Sequence, residues 1–216
     1  MKSIKNQKPK IKNCILLPIA ALISCQPAEQ KKYSDYPISQ VNLNQVELSD
    51  AFWLPKIQTV QKKTIKYAFD KCESEGRFEN FITAGIVMNG GEGVTRGAMP
   101  FDDTDVYKTI EGAACSLITA PDPALEQYVD SVIAIIKTGQ EPDGYLTTWR
   151  TINPKNPPTS RVHTNGDCWN GLEMSHELYN SGHMFEAATA HYRATGCFVP
   201  DDFRPPFFDG RTANGK

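Results

Sequence analysis

Several common sequence signatures are missing from this chain of 216 residues. It has no basic run beyond its N-terminus, and its formal net charge is −2. Nucleic-acid recognition wants a concentrated basic face, so that class is set aside. No G-x-x-x-x-G-K-[ST] occurs, and "GEGVTRG" misses the G-x-G-x-x-G spacing with no clear strand feeding it, so the standard phosphate cradles are excluded. None of the six cysteines belongs to a C-x-x-C pair or has a histidine at ligand spacing, so spacing supports no zinc site. A calcium loop is missing too, because "DDTDVY" lacks the glycine of D-x-[DN]-x-[DN]-G. No apolar run reaches the ~20 residues that a membrane-spanning helix takes. Global disorder is excluded as well: hydrophobic residues are 40% and charged residues 22%, enough apolar material for a sizeable core.

The N-terminus is informative. "MKSIKNQKPKIKN" holds five lysines and no acid, and "CILLPIAALIS" is an apolar run of signal-peptide length. It ends in "LISC", which resembles the lipobox of a bacterial lipoprotein. That resemblance implies cleavage after residue 24, lipidation of Cys25 and a place on the cell envelope, at its periplasmic face or outer membrane. Loss of residues 1–24 leaves 18 basic residues against 25 acidic ones, a net −7. An acidic exported chain suits carbohydrate or peptide work better than nucleic-acid work.

Residues 25–48 read as a tether, with a strand-like lead-in where Val41, Leu43 and Val46 alternate with polar residues. The main body is 49–196. Its first helix opens at "SDAFWLP", carries Ile57, Val60, Thr64, Ala68 and Cys72 on one face, and ends at "EGR". "FENFITAGIVMNGGEGVTRGAMPFDDTD" reads as a loop-rich connector. A second helix starts near Thr104 with Val106, Ile110, Ala113 or Ala114, and Leu117 on one face. A third follows Asp122 as N-cap and Pro123 as first helical residue, with Leu125, Val129, Val132 and Ile136 as its stripe. "EPDG" is a turn, residues 145–169 are a proline-broken loop, and a fourth helix spans Leu172 to Thr195. Cys72 and Cys115 fall inside apolar helical patterns, as small buried hydrophobes. The class is all-α. Antiparallel helices with long loops suit an α/α toroid with substrate over the axis, because long loops in a compact domain usually carry function.

Two clusters carry candidate chemistry. In "HELYNSGHMFEAA", His176 and His183 are seven apart. On one continuous helix they would lie within ~20° of each other and ~10 Å apart along the axis, too far for one shared ion. They are then hydrogen-bonded helix residues, or they line a polar cleft and bind a hydroxyl-rich ligand. Glu177 lies ~100° off that face. In "MPFDDTDVYK", Asp102, Asp103 and Asp105 either cap a helix or contribute to a carboxylate pair of the glycosidase kind.

"FWLPKIQTVQKKTIKYAFDKCESEGRFENF", "PFDDTDVYKTIEGAACSL", "PDPALEQYVDSVIAIIKTGQEPDGYL" and "SHELYNSGHMFEAATAHYRATG" together resemble the N-terminal portion of glycoside hydrolase family 127, the β-L-arabinofuranosidases and their relatives, over about residues 50–196. The resemblance implies a partial (α/α)6 toroid and retaining hydrolysis of β-L-arabinofuranosyl linkages in plant glycans. It implies a zinc-held cysteine nucleophile, with further cysteines and a glutamate on the metal, and a separate acid/base glutamate. All of these lie downstream of "HELYNSGH", so no catalytic residue and no metal ligand is carried onto this chain. It further implies that His176 or His183 lines the sugar subsite, with Asn80, Asp103 and Asp105, at loop or helix-start positions, facing the same pocket. The partners expected are an arabinose-containing oligosaccharide and, through the lipid anchor, a membrane.

Residues 197–216, "CFVPDDFRPPFFDGRTANGK", follow neither a helical nor a strand period. They read as an aberrant tail, the mark of a frameshift or an early gene-model end near Gly196. The expectation is then a fragment with exposed helix faces, poorly soluble and inactive alone. The other readings are a non-catalytic surface glycan-binding lipoprotein and an α/α-toroid lyase or isomerase.

Overall fold

The computed structural model describes Ile38 and residues 41–196. The expected signal peptide, Cys25, nearly all of 25–40 and the tail at 197–216 lie outside the described residues. The chain divides into Met1–Gln40 and Val41–Lys216, and every described helix belongs to the second unit.

Among the described residues all regular structure is helical. The strand-like lead-in is not a strand: Leu43–Gln45 forms one 3-10 turn, and Val41, Leu43 and Val46 are exposed. An extended segment needs a strand beside it for its backbone groups, and none is present among the described residues. The first helix is built in three joined pieces, α1 (Trp53–Thr59), a π-helical turn (Val60–Thr64) and α2 (Ile65–Ser74). Asp50 Oδ1 accepts from the backbone N–H groups of Phe52 and Trp53, at 2.9 and 2.5 Å, which satisfies two donors at its start. Gly76, at φ 74°, ends it in the left-handed region that glycine adopts at no steric cost.

The connector expected after Gly76 is instead a helix, α3 (Arg77–Met88). Its Phe78, Phe81 and Ala84 are buried at helical spacing, and the glycine that reads as a breaker has a packing reason. A Cβ on Gly85 would sit 2.5 Å from the Thr138 carbonyl oxygen, so glycine lets α3 lie close against α5. The next two helices follow the expected pattern, α4 (Asp103–Thr119) and α5 (Pro123–Thr138). Asp122 caps α5 through Ala124 N–H (3.0 Å) and Leu125 N–H (3.3 Å). The long loop also contains a short helix, α6 (Thr148–Ile152), that buries Trp149 and Arg150.

The fourth expected helix is broken. It forms α7 (Leu172–Ser175) and α8 (Glu177–Thr195), with His176 between them at φ 58°, ψ 18°. The ~20° relation between His176 and His183 therefore does not apply, because it assumed a continuous helix. The core joins Phe69 of α2, Phe81 of α3, Val106 and Ile110 of α4, Val129 and Ile136 of α5, and Met184 of α8. Small residues on α4 (Ala113, Ala114) and α8 (Ala187, Ala190) are buried where those helices pack closely along each other. Cys72 is buried as expected, but Cys115 is exposed on the outer side of α4. No described helix is long and apolar enough to cross a membrane.

Candidate functional site

The break at His176 has its cause in the next residue, Glu177, whose partners lie 2 to 32 residues from it in the sequence. Glu177 is fully buried, and its carboxylate collects donors from three segments. Tyr145 O–H (2.6 Å), Trp169 N–H (2.8 Å), Ser175 O–H (2.6 Å) and Arg150 Nη2 (3.1 Å) all donate to it. Arg150 Nε lies 3.0 Å from Glu177 Oε1 as an ion pair. Burial and the neighbouring Glu177 charge push the Tyr145 phenol well up, so it stays protonated and donates. The two described non-glycine residues with positive φ, Trp169 (62°) and His176 (58°), both flank this carboxylate. Each such conformation costs about 1–3 kcal/mol and persists where the surroundings over-determine it, which is commonest at functional sites.

Other buried bonds fix the loops on either side. Asp103 accepts from Thr148 N–H (2.8 Å) and Thr148 O–H (2.5 Å), locking α6 to the start of α4. Asn80 accepts from Arg96 N–H (2.7 Å) and donates to Arg96 O (3.0 Å). Asn180 donates to Pro100 O (3.0 Å). Arg77 pairs with Asp102 (3.1 Å) and Asp105 (2.9 Å).

These restraints shape a cavity of about 310 Å³ lined by Met99, Phe101, Thr159, Arg161, Met174 and His176, among others. The His176 ring lies 4.9 Å from the Phe101 ring. Its Nδ1 is 2.8 Å from the Met174 carbonyl. A carbonyl only accepts, so Nδ1 carries the hydrogen, and in the neutral ring Nε2 is left as an acceptor. The cavity thus offers an aromatic face, an apolar thioether wall, an imidazole acceptor, a hydroxyl and a guanidinium.

Of the five residues expected to face the substrate, the structure brings only His176 to this cavity. His183 lies beyond Tyr179, whose ring contacts both histidines, at 5.8 and 4.6 Å between centroids. Asn80 is a buried residue of α3 rather than a loop residue, and it holds the Arg96 backbone. Asp103 is buried against α6, and half-exposed Asp105 faces Arg77. Sequence reading missed Phe101, Arg161 and Met174, which come from separate segments with no shared period. It also missed Glu177, whose only local sign was its place beside His176.

A family model for the beta-L-arabinofuranosidase GH127 catalytic domain matches residues 45–197. The chain belongs to this family. A non-reducing end beta-L-arabinofuranosidase of Bifidobacterium longum subsp. longum is 39% identical over 98 residues, which are 45% of this chain and 14% of that protein. The solved structure of a GH127 beta-arabinofuranosidase superposes with a TM-score of 0.67 and 47% identity, covering 78% of this chain and 25% of that one. A GH127 beta-L-arabinofuranosidase from Geobacillus stearothermophilus T6 gives a TM-score of 0.60 and 36% identity, over 70% of this chain and 23% of that one. The chain therefore spans about a quarter or less of the length of these GH127 relatives.

The cysteine-held zinc that the GH127 resemblance implies does not fit the described cysteines. Cys72 lies on α2 beside Thr109, Cys115 is on α4, and Cys168 is in the loop before α7. Burial pushes all three thiols up, Cys168 to about 11, and among the described residues none of them joins a cluster of metal-ligand side chains. The described residues support no step through such a zinc.

Proposed function

We propose that residues 41–196 form the opening helices of an (α/α)6 toroid and one wall of its arabinofuranosyl subsite, in a β-L-arabinofuranosidase-type hydrolase acting on plant glycans. The observation that carries this reading is the cavity at the helix break. Its volume of about 310 Å³ is at the small end of ligand pockets and suits a monosaccharide unit. Phe101 offers a flat apolar face for the C–H side of a sugar ring, while His176 and Arg161 reach hydroxyls. The arabinofuranosidase activity of the relatives agrees with that ligand class. In this reading the zinc-held nucleophile and the acid/base glutamate belong to other parts of the relatives, so the 216 residues bind sugar without releasing arabinose.

The test is titration of the chain with methyl β-L-arabinofuranoside by calorimetry. His176→Gly keeps the backbone, because glycine adopts φ 58° freely, and removes the imidazole. Affinity is expected to fall about tenfold, the worth of one to two hydrogen bonds, with the melting temperature held or raised. Unchanged affinity in His176→Gly would sink the assignment.

We further propose export and lipid anchoring at Cys25, resting on the "LISC" motif alone. Cells fed radiolabelled palmitate should label the wild-type protein and leave Cys25→Ser unlabelled. Equal label in both would show that Cys25 is not the anchor.

A further inference from the structure

One cluster outside the cavity is built from two helices that pack along each other. Glu111 projects from α4, and His183 and Glu186 project from α8. One ligand atom from each lies within 4.8 Å of the others. The i,i+3 spacing puts His183 and Glu186 on one side of α8, and close packing of α4 against α8 brings Glu111 to them.

The position of the imidazole is the deciding observation. His183 Nδ1 is 3.0 Å from Glu186 Oε2, yet Nδ1 is shielded from solvent and makes no hydrogen bond. The two atoms are close but out of line. Two ligands of one ion come this close, since bonds of ~2.0–2.1 Å in a tetrahedral site leave ligand atoms ~3.3 Å apart, and the side chains of the wider group, within 4.8 Å, would close to that spacing on binding. Nearby cations do not satisfy the cluster: Lys108 donates to the Tyr179 hydroxyl oxygen at 2.7 Å and sits over the Tyr179 ring. The same Tyr179 ring meets the His183 ring edge-on at 4.6 Å and holds it in place. Glu186 is 61% exposed, so an ion can enter from solvent and keep water in its remaining positions.

We propose that Glu111, His183 and Glu186 bind one divalent transition-metal ion that joins α4 to α8. One imidazole and two carboxylates form a borderline donor set of the kind that holds zinc, and no thiol takes part. The site is separate from the cysteine-held zinc of the GH127 resemblance. It is also independent of the sugar reading, since none of its ligands lines the Phe101–His176 cavity.

The test is calorimetric titration of zinc into the untagged 216-residue chain under reducing conditions. The wild type should bind one equivalent, with a rise in melting temperature. Glu186→Gln changes an exposed side chain that the fold does not need, and it should weaken zinc about tenfold or more, as should Glu111→Gln. Cys115→Ser, one turn along α4 from Glu111, should bind like the wild type. Wild-type and Glu186→Gln chains of equal zinc affinity would overturn the proposal. Loss of binding in Cys115→Ser with retention in Glu186→Gln would overturn it too.

Discussion

Replacing Glu177 by alanine is expected to destabilise the chain by about 3–5 kcal/mol, read as a drop in the urea midpoint. The size follows from what is left behind. Arg150 is 2% exposed and pairs with Glu177 through two nitrogens. Without the carboxylate it keeps only neutral acceptors, the Thr164 hydroxyl and the Asp167 and Asn170 carbonyls. A buried guanidinium without its counter-charge is the costly species, more than the lost bonds themselves. Tyr145 O–H, Ser175 O–H and Trp169 N–H lose their acceptor as well. The paired replacement Arg150→Met with Glu177→Leu removes both charges and should recover much of the loss, because a buried ion pair is often close to neutral against apolar residues of similar volume. Glu177→Ala should also weaken sugar binding at the cavity by at least the tenfold expected of His176→Gly, since the buried network that sets the helix break beside His176 is then lost. A Glu177→Ala chain with the wild-type urea midpoint would show that the network does not support the fold.

The second large effect is a pH dependence from Asp103. Burial, aided by the neighbouring Asp102 charge, outweighs the Thr148 hydrogen bonds and Arg77 and raises its pKa from 3.8 to about 6. The raised value means that the folded chain holds this proton where the unfolded chain has released it. Its contribution is therefore fully present below the unfolded value and is lost as pH rises through the window between 3.8 and about 6. A shift of this size corresponds to about 3 kcal/mol. Asp103→Asn keeps both contacts, with the amide oxygen accepting from Thr148 N–H and the amide nitrogen donating to the Thr148 hydroxyl oxygen. Subtracting its stability curve from that of the wild type isolates Asp103 from the other carboxylates. The difference should decline from about pH 4 to about pH 6 and be flat above. A flat difference across the whole range would refute the raised value.

Parts of this structure were legible because their signals are local. The Asp122–Pro123 start of α5 and the apolar stripes of α4 and α5 are set within one or two helical turns. Helix α3 was not legible, because Gly85 and the glycines after Met88 look like loop residues until Thr138 is seen against Gly85. The break at His176 was not legible either. Continuous helix is the local preference there, and it is overridden by Tyr145, Arg150 and Trp169, whose approach to Glu177 only the tertiary fold decides. His176 was recognisable as a candidate from its residue type and setting. Its companions Phe101, Arg161 and Met174 lie on three separate segments and share a cavity only after folding. The Glu111–His183–Glu186 group escaped for the same reason: the spacing of two histidines on one helix says nothing of a glutamate brought in from α4.

The central claim is that the cavity between Phe101, Met174 and His176 holds an arabinofuranosyl unit. Methyl NMR on the chain carrying 13C-methyl methionine tests it directly, because Met99 and Met174 line that cavity while Met184 is buried in the core between α4, α5 and α8. Titration with methyl β-L-arabinofuranoside should move the Met99 and Met174 signals saturably, leave Met184 in place, and need about tenfold more sugar for the same shift in His176→Gly. Still signals from Met99 and Met174 at saturating sugar, or shifts confined to Met184, would contradict the account.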